Sequence, residues 1–343
     1  MQTIVMKFGG TSVGSAERIS ATADIIASAA KPAVVVLSAM SGVTNALLAI
    51  AEGTGDRAAL LDKHLDTARE LGVEAEVADA LRNTLGGAST AAETVACGEL
   101  MSTRLMHAVL RKRGLDAVWL DATGIVSVDG DGEPDTDAIG RNASAAVNDA
   151  GVHDIYITQG FICRDAEGRV ATLSRGGSDY TATLLGEALG AAEVQIWTDV
   201  DGVYTADPRR VRTARCIPHL SYATADTAAR RGAKILHPDC IRPAMRGGFA
   251  VRVLDSFHPE ASGTEISGAA TEDGGFAAVA ATAGPDGSVE VSLVGTRAGV
   301  GAPDIAALLG SEAVQGEGYI AATVAAEAAD EAMRLLHLKY IEQ

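Results

Sequence analysis

The sequence predicts an α/β sandwich around a mainly parallel sheet, followed by a small α+β module. Three observations predict it. Strand-length apolar runs alternate with helix-length, Ala-rich patterns along most of the chain. The strands are apolar at nearly every residue, as in AVVVLSA (33–39), which suits strands covered on both faces. A stretch rich in Gly, Ser and Thr, 259–275, then reads as a linker before a segment with its own strand and helix pattern.

Taken in order, TIVMKF (3–8) reads as the first strand. A helix follows from Ser15 to about Ala30, with Ile19, Ile25 and Ile26 among its apolar positions. After strand 33–39, helical patterns fill 43–53, 58–71, 74–84 and 89–113, and DAVWLDA (116–122) is the next strand. VDGDGEPDTD (128–137) places aspartates at 129, 131, 135 and 137, but lacks the Gly and Glu spacing of a calcium-binding EF-hand, so it reads as an acidic turn. A helix over 138–149, a strand DIYITQGF (154–161), a helix over 177–190 and a strand EVQIWTDV (193–200) complete the large part; a further helix lies in 221–234. In the small module, strands are predicted at 276–282, 289–295 and 319–325, with helices at 303–309 and 327–339.

Bulk composition narrows the function classes. A 343-residue chain that is 47% apolar can bury a large core and divide into two domains. It has no apolar run of membrane-spanning length, and its start shows no basic, cleavable leader. Cys97, Cys163, Cys216 and Cys240 form no CxxC pair, which suits a reducing compartment; a cytoplasmic protein is expected. The formal charge of −17 repels phosphate backbones and argues against nucleic acid as a partner. Basic residues in loops therefore stand out. The seven histidines are scattered without metal-ligand spacing and read as structural.

Those loops cluster where strands end, the place at which open α/β sheets bind ligands. KFGGTSVGS (7–15) sets Lys7 before Gly9 and Gly10, with Thr11 and Ser12 behind them. Backbone amides, hydroxyls, a helix start and a mobile point charge make a phosphate cradle there. It is neither a Walker A loop nor GxGxxG. SRGGSDYTA (174–182) puts Arg175 ahead of two glycines and Asp179 at a helix start, where the aspartate could serve as a cap. TDVDGVYTADPR (198–209) supplies Tyr204 and Arg209 with three aspartates, a set able to hold a base or ribose. RGAKILHP (231–238) supplies Lys234. Lys7 and Lys234 together suggest charge stabilisation of a transferred phosphoryl group.

KFGGTSV, SAMSGVTN (38–45), CGELMS (97–102), SRGGSDYTA, TDVDGVYTADPR and GAKILHP occur in the order and spacing of the aspartate kinases, within the amino acid kinase superfamily. The chain resembles that family over roughly residues 3–265, and VEVSLVGT with AMRLLH resembles its last ACT domain. The resemblance implies a three-layer α/β/α catalytic domain over 1–265, then a linker and a single ACT-like, ferredoxin-like domain over 266–343. It implies transfer of the γ-phosphoryl group of ATP, with Mg²⁺ held mainly by the phosphates, to the side-chain carboxylate of L-aspartate. The product would be 4-phospho-L-aspartate, which opens the route to lysine, threonine and methionine. A related amino acid kinase acting on another carboxylate, such as glutamate or an amino acid of a specialised pathway, is the alternative.

Carried over by motif, Lys7, Asp179 and Lys234 are the catalytic residues, and Thr11, Ser38, Glu99 and Arg175 bind the substrate. Gly9, Gly10, Ser12, Thr198, Asp199, Tyr204, Asp207 and Arg209 join Lys7 and Lys234 around ATP. Glu99 would meet the ammonium of the amino acid and Arg175 its α-carboxylate. A homodimer is expected. The sequence departs from the family at Cys163, where glycine is usual and a buried structural thiol is expected. It departs also in the helix after Ser221-Tyr222, whose one acid is Asp226, and in having room for a single ACT-like domain where two are typical.

Overall fold

The computed structural model describes residues 3–342 apart from 174–175, 234–235, 270–274 and 285. The chain divides into two compact units: residues up to Asp199 with Leu254–Glu260, and Val200–Val253 with the residues from Ala261 onward.

The first unit runs β1 (Ile4–Phe8), α1 (Ala16–Ser28), β2 (Ala33–Leu37), α2 (Val43–Ala51), α3 (Arg57–Leu71), α4 (Glu74–Gly87), α5 (Ala91–Lys112), β3 (Ala117–Trp119), α6 (Thr136–Ala150), β4 (Ile155–Gln159), β5 (Ile162–Arg164), β6 (Val170–Thr172), α7 (Gly177–Ala188) and β7 (Glu193–Thr198). Its strands lie in the order β3-β4-β2-β1-β7, and each neighbouring pair is parallel. Ile4, Met6 and Phe8 of β1 join Val35, Leu37 and Ile157 in a core with side chains of α1 to α5. By the two-residue alternation of a strand, Val5 and Lys7 point to the other face, where α7 packs on β1 and α6 on α7.

Local chemistry marks the helix starts. Ser15 caps α1, Asp56 caps α3, and Thr90 with Glu93 forms a reciprocal capping box on α5. The acidic turn is spent on backbone donors: Asp129 accepts from the amides of Asp131 and Glu133, and Asp135 caps α6.

The second unit contains β8 (His219–Ser221), α8 (Tyr222–Arg230), α9 (Ile241–Gly247), β9 (Ala250–Asp255), β10 (Thr264–Ser267), β11 (Phe276–Ala283), β12 (Ser288–Gly295), α10 (Ala302–Leu309), β13 (Ala313–Gly316), β14 (Tyr319–Ala325) and α11 (Ala329–Tyr340). The last two residues of β9 count with the first unit. Strand β10 pairs antiparallel with β9 and parallel with β8, so the stretch read as a linker carries a sheet strand. The small sheet is antiparallel, in the order β11-β12-β14-β13. Thus β12-α10-β13-β14-α11 is a β-α-β-β-α unit of ferredoxin-like type, and β11, which precedes it in the chain, occupies the place of its final strand. Val279, Val291, Leu293, Ile320, Met333 and Leu336 form its core. Among the described residues, no helix is long and apolar enough to cross a membrane.

Candidate active site

Strand order decides where ligands should gather. From β1 the chain crosses to β2, with β4 and β3 beyond it, whereas β7 lies on the other side of β1. The carboxyl end of β1 is therefore a topological switch point, where diverging loops leave a crevice. Lys7, the penultimate residue of β1, stands there between Val36 and Ile196 of the adjacent strands. Lys7 is 8% exposed, and its ammonium lies 2.7 Å from Asp179 Oδ1.

Asp179 is the third residue of α7. The N-cap is Gly176, in the left-handed region at φ 79°, and no side chain caps the helix. The sequence reading of Asp179 as a cap is thus replaced by an ion pair with Lys7. The first turn of α7 packs tightly on Gln159-Gly160-Phe161: a Cβ on Gly160 would lie 2.5 Å from that of Ser178. Phe161 has φ 69° and is the non-glycine residue of the described chain with positive φ. That conformation costs roughly 1–2 kcal/mol. It is held by its amide donating to Thr181 Oγ1 at 3.0 Å and its carbonyl accepting from Leu173 at 2.7 Å.

Two loops interlock at this edge. The Gly9 amide donates to the Trp197 carbonyl at 3.1 Å, and the Ser41 amide to the Gly10 carbonyl at 3.1 Å. A Cβ on Gly10 would lie 2.8 Å from the Ala39 carbonyl oxygen, a backbone atom that cannot swing aside. Gly10→Ala should therefore displace both loops and cost about 1–3 kcal/mol, read from urea unfolding midpoints. Thr11 is exposed at the loop tip. Ser12 is fully buried, 2.7 Å from Ser256 Oγ. Ser256 gives its own O–H to the Thr198 carbonyl at 2.9 Å, so Ser12 donates to Ser256. The Ser12 hydroxyl is spent inside the protein and does not present a donor to phosphate. Arg18 completes this anchor: it donates to the Ser256 carbonyl at 2.7 Å and covers the Phe257 ring at 3.6 Å. Sequence reasoning missed Arg18 and Ser256; a surface arginine and a serine beside a presumed linker carry no signal of each other.

Beneath the second loop lies Glu99, on α5 and 3% exposed. Its Oε1 accepts from the Ala39 amide at 3.1 Å, while Oε2 is buried with no hydrogen-bond partner among the described residues. Burial pushes the carboxyl up to about 7, against the opposing effect of the Ala39 amide. Ser38 is half-buried; its amide donates to the Phe8 carbonyl and its carbonyl accepts from Ser102 Oγ at 2.7 Å. Ala39 thus connects Glu99 to the Gly10 loop. Cys163 is fully buried, and burial pushes its thiol up to about 11, as an inert structural cysteine requires.

Lys7, Gly9, Gly10, Ser38, Glu99 and Asp179 therefore come together at one edge, with Thr198 and Asp199 at the end of β7. Thr198 Oγ1 donates to Asp199 Oδ1 at 3.2 Å, and Asp199 is exposed. Tyr204, Asp207 and Arg209 belong to the second unit. There the Tyr204 hydroxyl donates to Asp201 at 2.5 Å, and the Arg209 guanidinium grips Asp207 through two bonds of 3.1 and 3.0 Å. Arg175 and Lys234 lie outside the described residues.

The edge suits a phosphate chain. The first residue after β1 is a glycine whose added Cβ would come within 3.5 Å of Lys7 Nζ, so the ammonium faces backbone with no intervening side chain. Among the described residues, no three His, Cys, Asp or Glu side chains converge as a metal cage.

Comparison with known proteins identifies the family. The model of the amino acid kinase family matches residues 2–255. Lysine-sensitive aspartokinase 3 of Escherichia coli is 40% identical over 292 residues, covering 77% of this chain and 64% of that protein. Chloroplastic aspartokinase 1 of Arabidopsis thaliana is 37% identical, covering 77% and 52%. The chain thus spans less than two thirds of the length of either relative. The crystal structure of E. coli aspartokinase III in complex with aspartate and ADP superposes with a TM-score of 0.83 at 30% identity, over 98% of this chain and 99% of that one. On the family model, which covers most of its length, and with these relatives, the chain belongs to the amino acid kinase family.

Proposed function

We propose that the chain is an aspartate kinase, transferring the γ-phosphoryl group of ATP to the side-chain carboxylate of L-aspartate. The observation that carries this reading is Glu99: the Ala39 amide holds its Oε1 while its buried Oε2 has no partner among the described residues, at the same edge as the buried Lys7–Asp179 pair. A free α-amino acid brings an ammonium that satisfies Glu99. N-acylated amino acids and nucleotides bring none there.

The acceptor carboxylate is an anion near neutral pH, with an ordinary pKa of about 4, so the site needs no strong general base. Lys7 neutralises charge on the transferring group, and Asp179 holds the ammonium of Lys7 in place. Gly9 and Gly10 keep side chains away from the phosphates, while Thr198, Asp199, Tyr204, Asp207 and Arg209 hold the nucleotide. Thr11 and Ser38 flank the amino acid. By the family resemblance, Arg175 takes the α-carboxylate and Lys234 the phosphates. Magnesium, when bound, would supply charge neutralisation through the phosphates.

In this reading 1–265 is the catalytic part and 266–343 holds the linker and one ACT-like domain. The chain works in the cytoplasm as a homodimer. ADP release with a panel of acceptors tests the assignment. L-aspartate should support turnover, and L-glutamate, N-acetyl-L-aspartate and UMP should not; turnover on any of these three but not on aspartate would sink it.

A further inference from the structure

His337, on α11 of the small module, is fully buried and has no part in the chemistry above. Its ring joins two distant segments. Nδ1 lies 2.8 Å from Glu342 Oε1, and Nε2 lies 2.8 Å from Thr205 Oγ1. Thr205 directly follows Tyr204 and precedes Asp207 and Arg209 by two and four residues. The Glu342 carboxyl is held below its usual range by hydrogen bonds from Thr213 and His337, so it accepts. Nδ1 must then carry the proton and donate to Glu342. In the neutral ring Nε2 is an acceptor, and the Thr205 O–H donates to it. Thr205 Oγ1 still has room for the Arg215 amide, which donates at 3.0 Å.

The rest of the 204–215 segment is docked on the same module. The Thr205 carbonyl accepts from Val279 of β11 at 2.7 Å, Arg210 pairs with Asp330 of α11, and Arg215 donates to the Ile341 carbonyl at 3.0 Å. Ala206 and Val211 are buried members of the module's own core, while Arg209 stays exposed. The segment thus has an anchored side and a presented side. The His337 ring joins both ends of the anchor, at Thr205 and, through Glu342, at Thr213.

We infer that His337 is a positioning residue for nucleotide binding: through Thr205 it holds the segment bearing Tyr204, Asp207 and Arg209 in its binding-ready conformation. This rests on the proposed nucleotide role of that segment. It gives the ACT-like module a direct hold on ATP affinity, one that does not involve the amino acid subsite.

The test compares His337→Gln, whose amide reaches the place of Nε2, with His337→Asn, whose amide reaches that of Nδ1. Both are made in the full chain, with thermal melts to confirm folding. ADP affinity by calorimetry and the KM values for ATP and aspartate are measured. His337→Asn should weaken ADP binding and raise the KM for ATP by about tenfold, with the KM for aspartate and kcat within about twofold. His337→Gln should restore ADP affinity to within about threefold of wild type, and Thr205→Val should match His337→Asn. Equal ADP affinity in all four proteins would overturn the inference, as would parallel losses of ATP and aspartate affinity. If the wild type bound ADP but phosphorylated no aspartate, the function would fall while the ADP series still judged His337. If it bound no ADP, both would fall.

Discussion

Lys7→Ala should lower kcat by at least about a hundredfold, because it removes the one described cation at the carboxyl end of β1 where phosphoryl charge must be met. It should also destabilise the fold by roughly 3 kcal/mol, since the Asp179 carboxylate, 2.7 Å away and largely shielded, loses its partner. The two effects separate in the double variant Lys7→Ala/Asp179→Ala. Removing both charges recovers part of the stability lost in urea unfolding but none of the turnover. Recovery of activity together with stability would mean that the pair is a structural ion pair. Lys7→Arg should not rescue, because a planar fork cannot replace a point charge in a slot between Val36 and Ile196.

Glu99→Gln should raise the KM for aspartate by about a hundredfold, the scale of a charge-assisted bond made in a buried site, with a smaller effect on ATP. The pH dependence gives this prediction its sign. The free carboxyl titrates near 7, above its ordinary value of 4.5, because burial disfavours the ionised form. Only the ionised form takes an ammonium, so aspartate affinity should fall about tenfold per unit below pH 7 in the wild type and stay flat in the variant. Stability of the ligand-free protein runs the other way. The raised pKa contributes stability that is fully present below about 4.5 and lost as pH rises through about 7, a loss of the order of 3 kcal/mol. Aspartate should therefore raise the melting temperature more at pH 8 than at pH 6. An equal rise at both would contradict a titrating Glu99 at the amino acid subsite.

Which parts of this were legible in the sequence follows from how each is held. Strands such as 33–37 and 155–159 are buried runs whose own composition announces them, and the helices carry their caps with them. By contrast Thr264–Ser267 is held by partners at 250–255 and 219–221, and its four residues sit among glycine and serine, so locally it reads as linker. The hairpin strands Ile162–Arg164 and Val170–Thr172 and the edge strand Ala313–Gly316 are too short for alternation to register.

The site divides in the same way. Lys7 was legible because a lysine has no business in a buried strand, and the glycines because nothing else permits so close an approach. The direction of the Asp179 side chain was not, since capping and pairing ask for the same residue at a helix start. Ser12 looked like a donor until its partner, Ser256, came from 244 residues away. His337 looked structural for the same reason, its partner Thr205 lying 132 residues distant. A left-handed phenylalanine at 161 leaves no mark in sequence at all.

The most direct measurement traps the product. Wild-type protein is incubated with MgATP and hydroxylamine, with L-aspartate or L-glutamate as acceptor, and the hydroxamate formed is identified by mass. Aspartyl hydroxamate, formed in proportion to ADP and absent with Lys7→Ala, is the expected result. ADP release without any hydroxamate, or hydroxamate from glutamate in place of aspartate, would contradict the assignment of aspartate as the acceptor.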